Sequence, residues 1–428
     1  MSSDAISRIL DGIPIPPMAR IRQHLPEETL PDVAAAARTA MDREVLRKKI
    51  RPGMRVAITA GSRGIFGMKD MLREAAAFVR SCGGDPFLIP AMGSHGGATA
   101  DGQRDVLTRY GITEETVGAP IRATMETVKI GELPDSTPVY IDRYAAEADG
   151  IILVNRIKCH TGFRGRYESG LFKMMAIGLG KQYGAQTVHG RGADKMGESI
   201  ELFGKAILQN ANVLLGLAVI ENAIDMPYQI VALTPQEIID QEPDYLTLAR
   251  QLMPRILFDN LDVVIVDYFG KEISGAGVDP NVTHTYKYAS GIPLDGRARQ
   301  VAVLDLTEQS HGNAHGVGVM DLITKRFFDK IDPDITYANS LTTGGTEVPK
   351  IPMYLPNQRM CIQAAIHCAQ GADREKLRMV RIRDTMHLKE IQVSPVLLEE
   401  ALGNPAFDIL EEPTPLVFDS QGDLFPSE

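Results

Sequence analysis

The sequence predicts an α/β protein: two α/β domains with largely parallel sheets and an active-site cleft between them. Three observations predict it. Short apolar runs that read as buried strands alternate with helical patterns, the signature of βαβ units. The alternation restarts at Leu261 in a chain of 428 residues, long enough for two to three domains. Gly-flanked histidines follow the early strands closely, and open parallel sheets receive ligands outside the carboxyl ends of their strands.

The elements follow in order. Arg55 to Thr59 reads as a strand, followed by a glycine turn and a helix from Met68 to Cys82. Gly83-Gly84-Asp85 turns into a second strand, Pro86 to Pro90, and His95 comes just after it. A helix from Asp101 to Tyr110 is capped by Thr99 or Asp101. Ile151 to Asn155 is a third buried strand, with His160 just past its end. Leu171 to Gly180 reads as a buried Met-rich helix, Glu198 to Asn210 as a helix and Asn212 to Ile220 as a strand. Ile230 to Arg255 is read as a bridge. The first domain then covers residues 1–260, the cofactor-binding and catalytic half. Residues 261–428 form the closing domain, with strands at Val263 to Asp267, Gln300 to Leu304 and Met379 to Ile382. A Pro-rich tail (Pro405, Pro413, Pro415, Pro426) packs over the surface or frays.

Composition bounds the function. A net charge of −10 argues against nucleic acid or an anionic membrane as the main partner. The four cysteines have no CxxC spacing, so neither a disulfide framework nor a thiolate zinc site is indicated. No signal peptide is visible, and runs such as Val213 to Ile220 are too short to span a bilayer. The expectation is a cytoplasmic protein. No sequence feature fixes its oligomeric state.

The chemistry-bearing residues cluster between about residues 60 and 190. Three of the nine histidines, His95, His160 and His189, sit in Gly-flanked turns. His95 and His160 follow separate strands, which suits an acid/base pair on opposite sides of a substrate; histidine holds or releases a proton near neutrality. His189 suits a transition-metal ligand such as one for nickel, although a single histidine is more often plain polar surface. Arg156, Lys158, Arg164, Arg166, Lys173 and Lys181 face only one local acid, Glu168. A cationic, Gly-rich loop suits a bound anion, and a helix starting near Ser169 would add its dipole. Lys173 lies among Leu171, Phe172, Met174, Met175 and Ile177. Such a lysine is either a desolvated nucleophile or covalent anchor, or one whose head reaches solvent. Neither a Walker loop nor a GxGxxG motif is present.

As a set, these residues resemble the lactate racemase family, which uses a nickel-pincer nucleotide. The match runs through Gly93-Ser94-His95, the Gly-rich loop from His160 to Lys173, and the sixteen residues from Lys173 to His189. The resemblance implies a racemase or epimerase (an isomerase) acting on a 2-hydroxy acid, with maturation enzymes as further partners. It implies pyridinium-3-thioamide-5-thiocarboxylic acid mononucleotide covalently on Lys173, with His189 ligating nickel. His95 and His160 become the acid/base pair of a proton-coupled hydride transfer. Ser62, Arg63, Gly165, Ser169 and Gly170 become cofactor contacts, and Arg63 and Lys271 contacts of the substrate carboxylate.

The sequence departs from the family pattern. Ala60-Gly61-Ser62-Arg63 keeps the family arginine but lacks its acid, the loop to Lys173 is about three residues longer than in lactate racemase itself, Cys159 replaces a common proline, and the chain has no tryptophan. These changes point to a divergent branch with another 2-hydroxy acid as substrate, such as a sugar acid or dicarboxylate. In the second domain, His311 to Gly316 and Leu341 to Gly345 read as loops facing the cleft, and a hinge near residue 260 would gate exchange. Two other classes fit the residues: a metal-dependent lyase or hydrolase using all three histidines, and a non-catalytic protein binding a phosphorylated ligand.

Overall fold

The protein is described here by a computed structural model covering residues 4–62, 64–285 and 298–424. It is a mixed α/β chain that divides into two compact units. One is Pro26–Met253; the other joins Met1–Leu25 to Pro254–Glu428.

The strands, in chain order, are β1 (Met18–Gln23), β2 (Arg55–Ala60), β3 (Asp85–Pro90), β4 (Thr127–Glu132), β5 (Pro138–Asp142), β6 (Gly150–Arg156), β7 (Val213–Glu221) and β8 (Pro227–Leu233). They continue as β9 (Val263–Phe269), β10 (Gln300–Leu306), β11 (Leu322–Thr324), β12 (Met353–Leu355), β13 (Met379–Ile382), β14 (Glu390–Val393) and β15 (Phe407–Thr414).

In the 26–253 unit the sheet order is β3-β2-β6-β7-β8, parallel except for β8. β2 and β6 read as unbroken apolar runs because both faces of the sheet are covered. One covering helix, Met68–Ser81, buries Met68, Met71, Leu72, Ala75, Ala76, Phe78 and Val79, a stripe at helical spacing. Its buried Glu74 is neutralised by Arg38 at 2.9 Å. Another helix, Pro235–Leu252, starts at a capping box between Thr234 and Glu237 with Pro235 in its first turn. Ile230 to Arg255 is therefore no bridge: it supplies an edge strand and an eighteen-residue helix to this unit. β4 and β5 form a separate antiparallel hairpin.

In the other unit the order is β12-β11-β10-β9-β13-β14-β1-β15. β9 to β13 supply the parallel part; β1 pairs antiparallel with β14 and β15. Two expectations change here. The division falls at Met253, and the first 25 residues belong with the C-terminal segment because β1 completes its sheet. The Pro-rich tail does not fray over residues 407–414, which form β15 on the free edge of β1. Proline is tolerated on such an edge, and Pro413 lies there; Pro426 is outside the described residues.

Candidate functional site

The carboxyl ends of β3, β2 and β6 emerge side by side on one edge of the sheet, with β2 in the middle. The chain leaves β2 at Gly61-Ser62, β3 into the His95 loop, and β6 into the His160 loop. Arg63 lies outside the described residues. Ser62 and His95 line one cavity of about 280 Å³, together with Gly96, Val106, Arg109 and Tyr110. Tyr110 donates to the Ser62 carbonyl at 3.3 Å. His160 is not among the residues lining this cavity.

The His95 loop is a backbone-on-backbone structure. Gly96 has φ +67, and a Cβ there would lie 2.6 Å from the backbone of Gly102 and Gln103. A Cβ on Gly102 would lie 2.0 Å from the Gly96 carbonyl oxygen. The loop thus rests directly on the first turn of the helix Ala100–Arg109, which Thr99 caps by accepting from the Gly102 amide at 3.1 Å. Gln103, fully buried, donates from Nε2 to the Gly93 carbonyl at 2.8 Å and to the His95 carbonyl at 3.2 Å. His95 itself is exposed.

The His160 loop wraps a carboxylate. Glu168 has a fully buried side chain and accepts from the His160 amide at 2.7 Å, from Arg164 at 3.4 Å and from Arg250 at 3.1 Å. Burial pushes its pKa up, while the His160 amide and the two arginines pull it back. The His160 ring stacks on Phe163 at 4.2 Å, and its Nδ1 accepts from the Gly162 amide at 3.0 Å. That accepting Nδ1 leaves Nε2 as the nitrogen carrying the proton of the neutral ring.

Lys173 closes a short helix, Leu171–Lys173, that runs into a π-helical segment, Met174–Leu179. π-helical turns recur at functional sites because they carry a local cost. The neighbours are fixed by packing. Phe172 stacks on Tyr167 at 3.6 Å, and Gly204 leaves room for its ring, since a Cβ there would lie 2.2 Å away. Gly178 lets the π-segment lie against the backbone after β3: a Cβ would sit 2.7 Å from the Ala91 carbonyl oxygen. A Cβ on Gly61, just past the end of β2, would lie 3.5 Å from Met174 Cε. Lys173 is half-buried. His189 ends the helix Lys181–His189, and its pKa is lowered by desolvation and then by the Lys173 charge. His189 keeps part of its surface exposed, and Lys173 is near enough for its charge to disfavour a proton on the imidazole.

The expected anion cradle is occupied by the protein. The amide of Phe172, in the first turn of the Lys173 helix, donates to the fully buried carboxyl of Glu242 at 3.2 Å. Burial raises that carboxyl to about 8, against the pull of the Phe172 and Leu171 amides. A Cβ on Gly170 would fall 2.0 Å from Glu242 Oε1, so this glycine makes room for the carboxyl. Ser169 bridges in strand fashion to Lys158, and Gly165 allows close approach of Gly197, 3.0 Å from where a Cβ would lie. The positive stretch is matched by remote acids: Arg156 pairs with Glu221, Lys158 with Asp225 at 3.6 Å, and Lys181 with Asp142 at 3.0 Å. A count of local charge in the sequence misses such partners. It also misses Asn155, whose amide donates to the Gly170 carbonyl at 2.7 Å and ties β6 to the Lys173 helix.

In the other unit, Lys271 follows β9 in a loop; its amide donates to Ser310 Oγ at 2.9 Å and its ammonium to the Gly275 carbonyl. His315 pairs through Nδ1 with Ser340 Oγ at 2.8 Å. Burial, then the Lys271 charge, lowers its pKa to about 4. His311 has φ +48 in the turn before it. Leu341 to Thr343 is not a free loop but the end of the helix Pro333–Thr343, capped by Gly344 at φ +71.

Among the described residues, no three His, Cys, Asp or Glu side chains gather as a metal site, and no helix is long and apolar enough to cross a membrane. Residues 19–201 match the lactate racemase N-terminal domain family. No curated protein matches the chain. Solved structures similar to it include the following two. One is a structural-genomics protein from Thermotoga maritima at 14% identity and TM-score 0.47, covering 84% of this chain and 99% of that one. The other is the lactate racemase apoprotein from Thermoanaerobacterium thermosaccharolyticum at 12% identity and TM-score 0.48, covering 92% of this chain and 97% of that one.

Proposed function

We propose, for a chain whose residues 19–201 belong to the lactate racemase N-terminal domain family, that it inverts a carbon centre of a 2-hydroxy acid with a nickel-pincer nucleotide tethered to Lys173. The observation that carries this reading is Lys173, half-buried at the start of a π-helical turn, with His189 near enough that the lysine charge disfavours a proton on the imidazole. A half-buried amine suits a covalent tether, and a neutral imidazole suits a transition metal. When bound, the nucleotide supplies the hydride acceptor that the side chains lack.

The chain's own residues do the rest. His95, on the β3 side of β2, and His160, on the β6 side, act from opposite directions. One takes the hydroxyl proton as the hydrogen on carbon leaves as hydride. After the flat 2-keto acid has turned over, the hydrogen returns to the opposite face of the carbon while the other histidine gives a proton back to the oxygen. The Gly162 amide and Phe163 fix the His160 ring in one orientation. For the phosphate, Arg109 and Ser62 at the cavity are better placed than Gly165, Ser169 and Gly170, whose surroundings hold carboxylates. Arg63 remains a contact of phosphate or substrate.

The test is peptide mass spectrometry with nickel analysis on protein made beside cofactor-synthesis enzymes. A nucleotide-sized adduct on the Lys173 peptide, absent in Lys173→Ala and accompanied by nickel, is expected. An unmodified peptide without nickel, under conditions that load a known racemase, would overturn the reading. Metal bound without an adduct and lost in His95→Ala would favour the lyase or hydrolase alternative instead.

A further inference from the structure

Lys181 is fully buried, has a left-handed backbone at φ +53, and is not used by the proposed chemistry. Left-handed backbone in a lysine is disfavoured, so the surrounding structure must impose it. Its ammonium makes three contacts: the Pro90 carbonyl at the end of β3, Gln103 Oε1 at 2.9 Å, and Asp142 Oδ2 at 3.0 Å. Asp142 is itself fixed, because its Oδ1 caps the helix Arg143–Ala146 by accepting from Tyr144 at 2.7 Å and Ala145 at 3.2 Å. Gln103 has its carbonyl committed to Lys181 and its amide to the Gly93 and His95 carbonyls. The Lys181 contact thereby decides which way the Gln103 amide faces. If it were flipped, an amide donor would face the ammonium and an acceptor would face two carbonyls.

We propose that Asp142, Lys181 and Gln103 form a buried chain that positions the His95 loop, with Gln103 as its last positioning residue. The inference rests on the reading of His95 as a proton-handling group. Two members of the chain touch the machinery: Lys181 opens the helix that ends in His189, and Gln103 holds the backbone carbonyl of His95. Asp142 Oδ2 meets Lys181 as an ion pair at 3.0 Å and makes no aligned hydrogen bond, so charge attraction between two dehydrated groups holds this end of the chain. The Gly96–Gly102 contact supplies the second constraint, so the loop is clamped from two sides.

The experiment compares full-length wild type, Gln103→Leu, Lys181→Met and His95→Gln by hydrogen–deuterium exchange and by imidazole NMR, with the His95 signal identified by its loss in His95→Gln. In Gln103→Leu, residues 93–98 are expected to exchange about tenfold faster, as for the loss of one to two buried hydrogen bonds. The helix Met68–Ser81 should stay at its wild-type rate. The His95 ring signal should move while that of His160 does not, which a general loss of stability would not produce. Wild-type exchange at 93–98 with an unmoved His95 signal, in a folded Gln103→Leu protein, would overturn the proposal. Should Lys181→Met fail to fold, Gln103→Leu still decides, because it leaves the Lys181–Asp142 pair in place. A Lys173 peptide without adduct would sink the proposed function but leave this result readable by itself.

Discussion

Lys173 and Lys181 stand eight residues apart, on either side of the apolar π-helical segment Met174–Leu179, and the fold treats them oppositely. Lys173 is half-buried at the start of a π-helical turn, beside a histidine that it helps keep neutral. Lys181 is sealed at zero exposure, with Asp142 opposite. Burial lowers the pKa of Lys181 and raises that of Asp142, each against the pull of the other. The difference teaches that an apolar run beside a lysine in a sequence does not tell whether the amine stays partly open to solvent or is sealed into the structure. What distinguishes them is whether an acid from elsewhere in the chain arrives to meet it.

Four measurements break or sharpen that contrast. Lys181→Met should have the largest effect, a loss of about 3–5 kcal/mol in urea unfolding, because it strands a buried carboxylate. An unchanged midpoint would mean that the pair is not a structural anchor. Gly102→Ala should cost roughly 1–3 kcal/mol by the same method. Alanine favours a helix, but its Cβ would meet the Gly96 carbonyl oxygen, a backbone atom that cannot move aside without carrying His95 with it.

Glu242 gives a pH signature. Its folded pKa, about 8, lies above the ordinary value of 4.5, so the folded state holds the proton more tightly. Its contribution is full below the unfolded value and is lost as pH rises toward the folded one. The slope is at most about 1.4 kcal/mol per pH unit in that window. Wild type should therefore lose stability between about pH 5 and pH 8 more steeply than Glu242→Gln; identical slopes would assign the carboxyl an ordinary pKa. The smallest effect belongs to Lys173→Ala, within about 0.5 kcal/mol of wild type. A large loss there would make Lys173 a second structural lysine.

Much of the scaffold was legible. The buried strands at β2, β3, β6, β7, β9, β10 and β13 announce themselves as apolar runs, since parallel sheets are covered on both faces. The helix Met68–Ser81 follows from its apolar period. β1, β14 and β15 were not legible, because edge and antiparallel strands carry mixed polarity; β1 alternates arginines with buried residues. In the site, the Gly-flanked histidines and the offset from Lys173 to His189 stood out. Glu242, Asp142 and Gln103 did not. Each reaches its partner from 39 to 78 positions away in the sequence, and no local pattern signals that.

The strand β1 also gives the two units different histories. The 26–253 unit is one uninterrupted segment and has all its parts once Met253 has left the ribosome. The other unit is made first and last: β1 must wait for β14, roughly 370 residues later, which at typical elongation rates is about 20–70 s. Through that interval a strand with both edges unpaired is exposed to solvent. Its two charged outward positions, Arg20 and Arg22, are the kind of side chain that discourages pairing with the wrong neighbour.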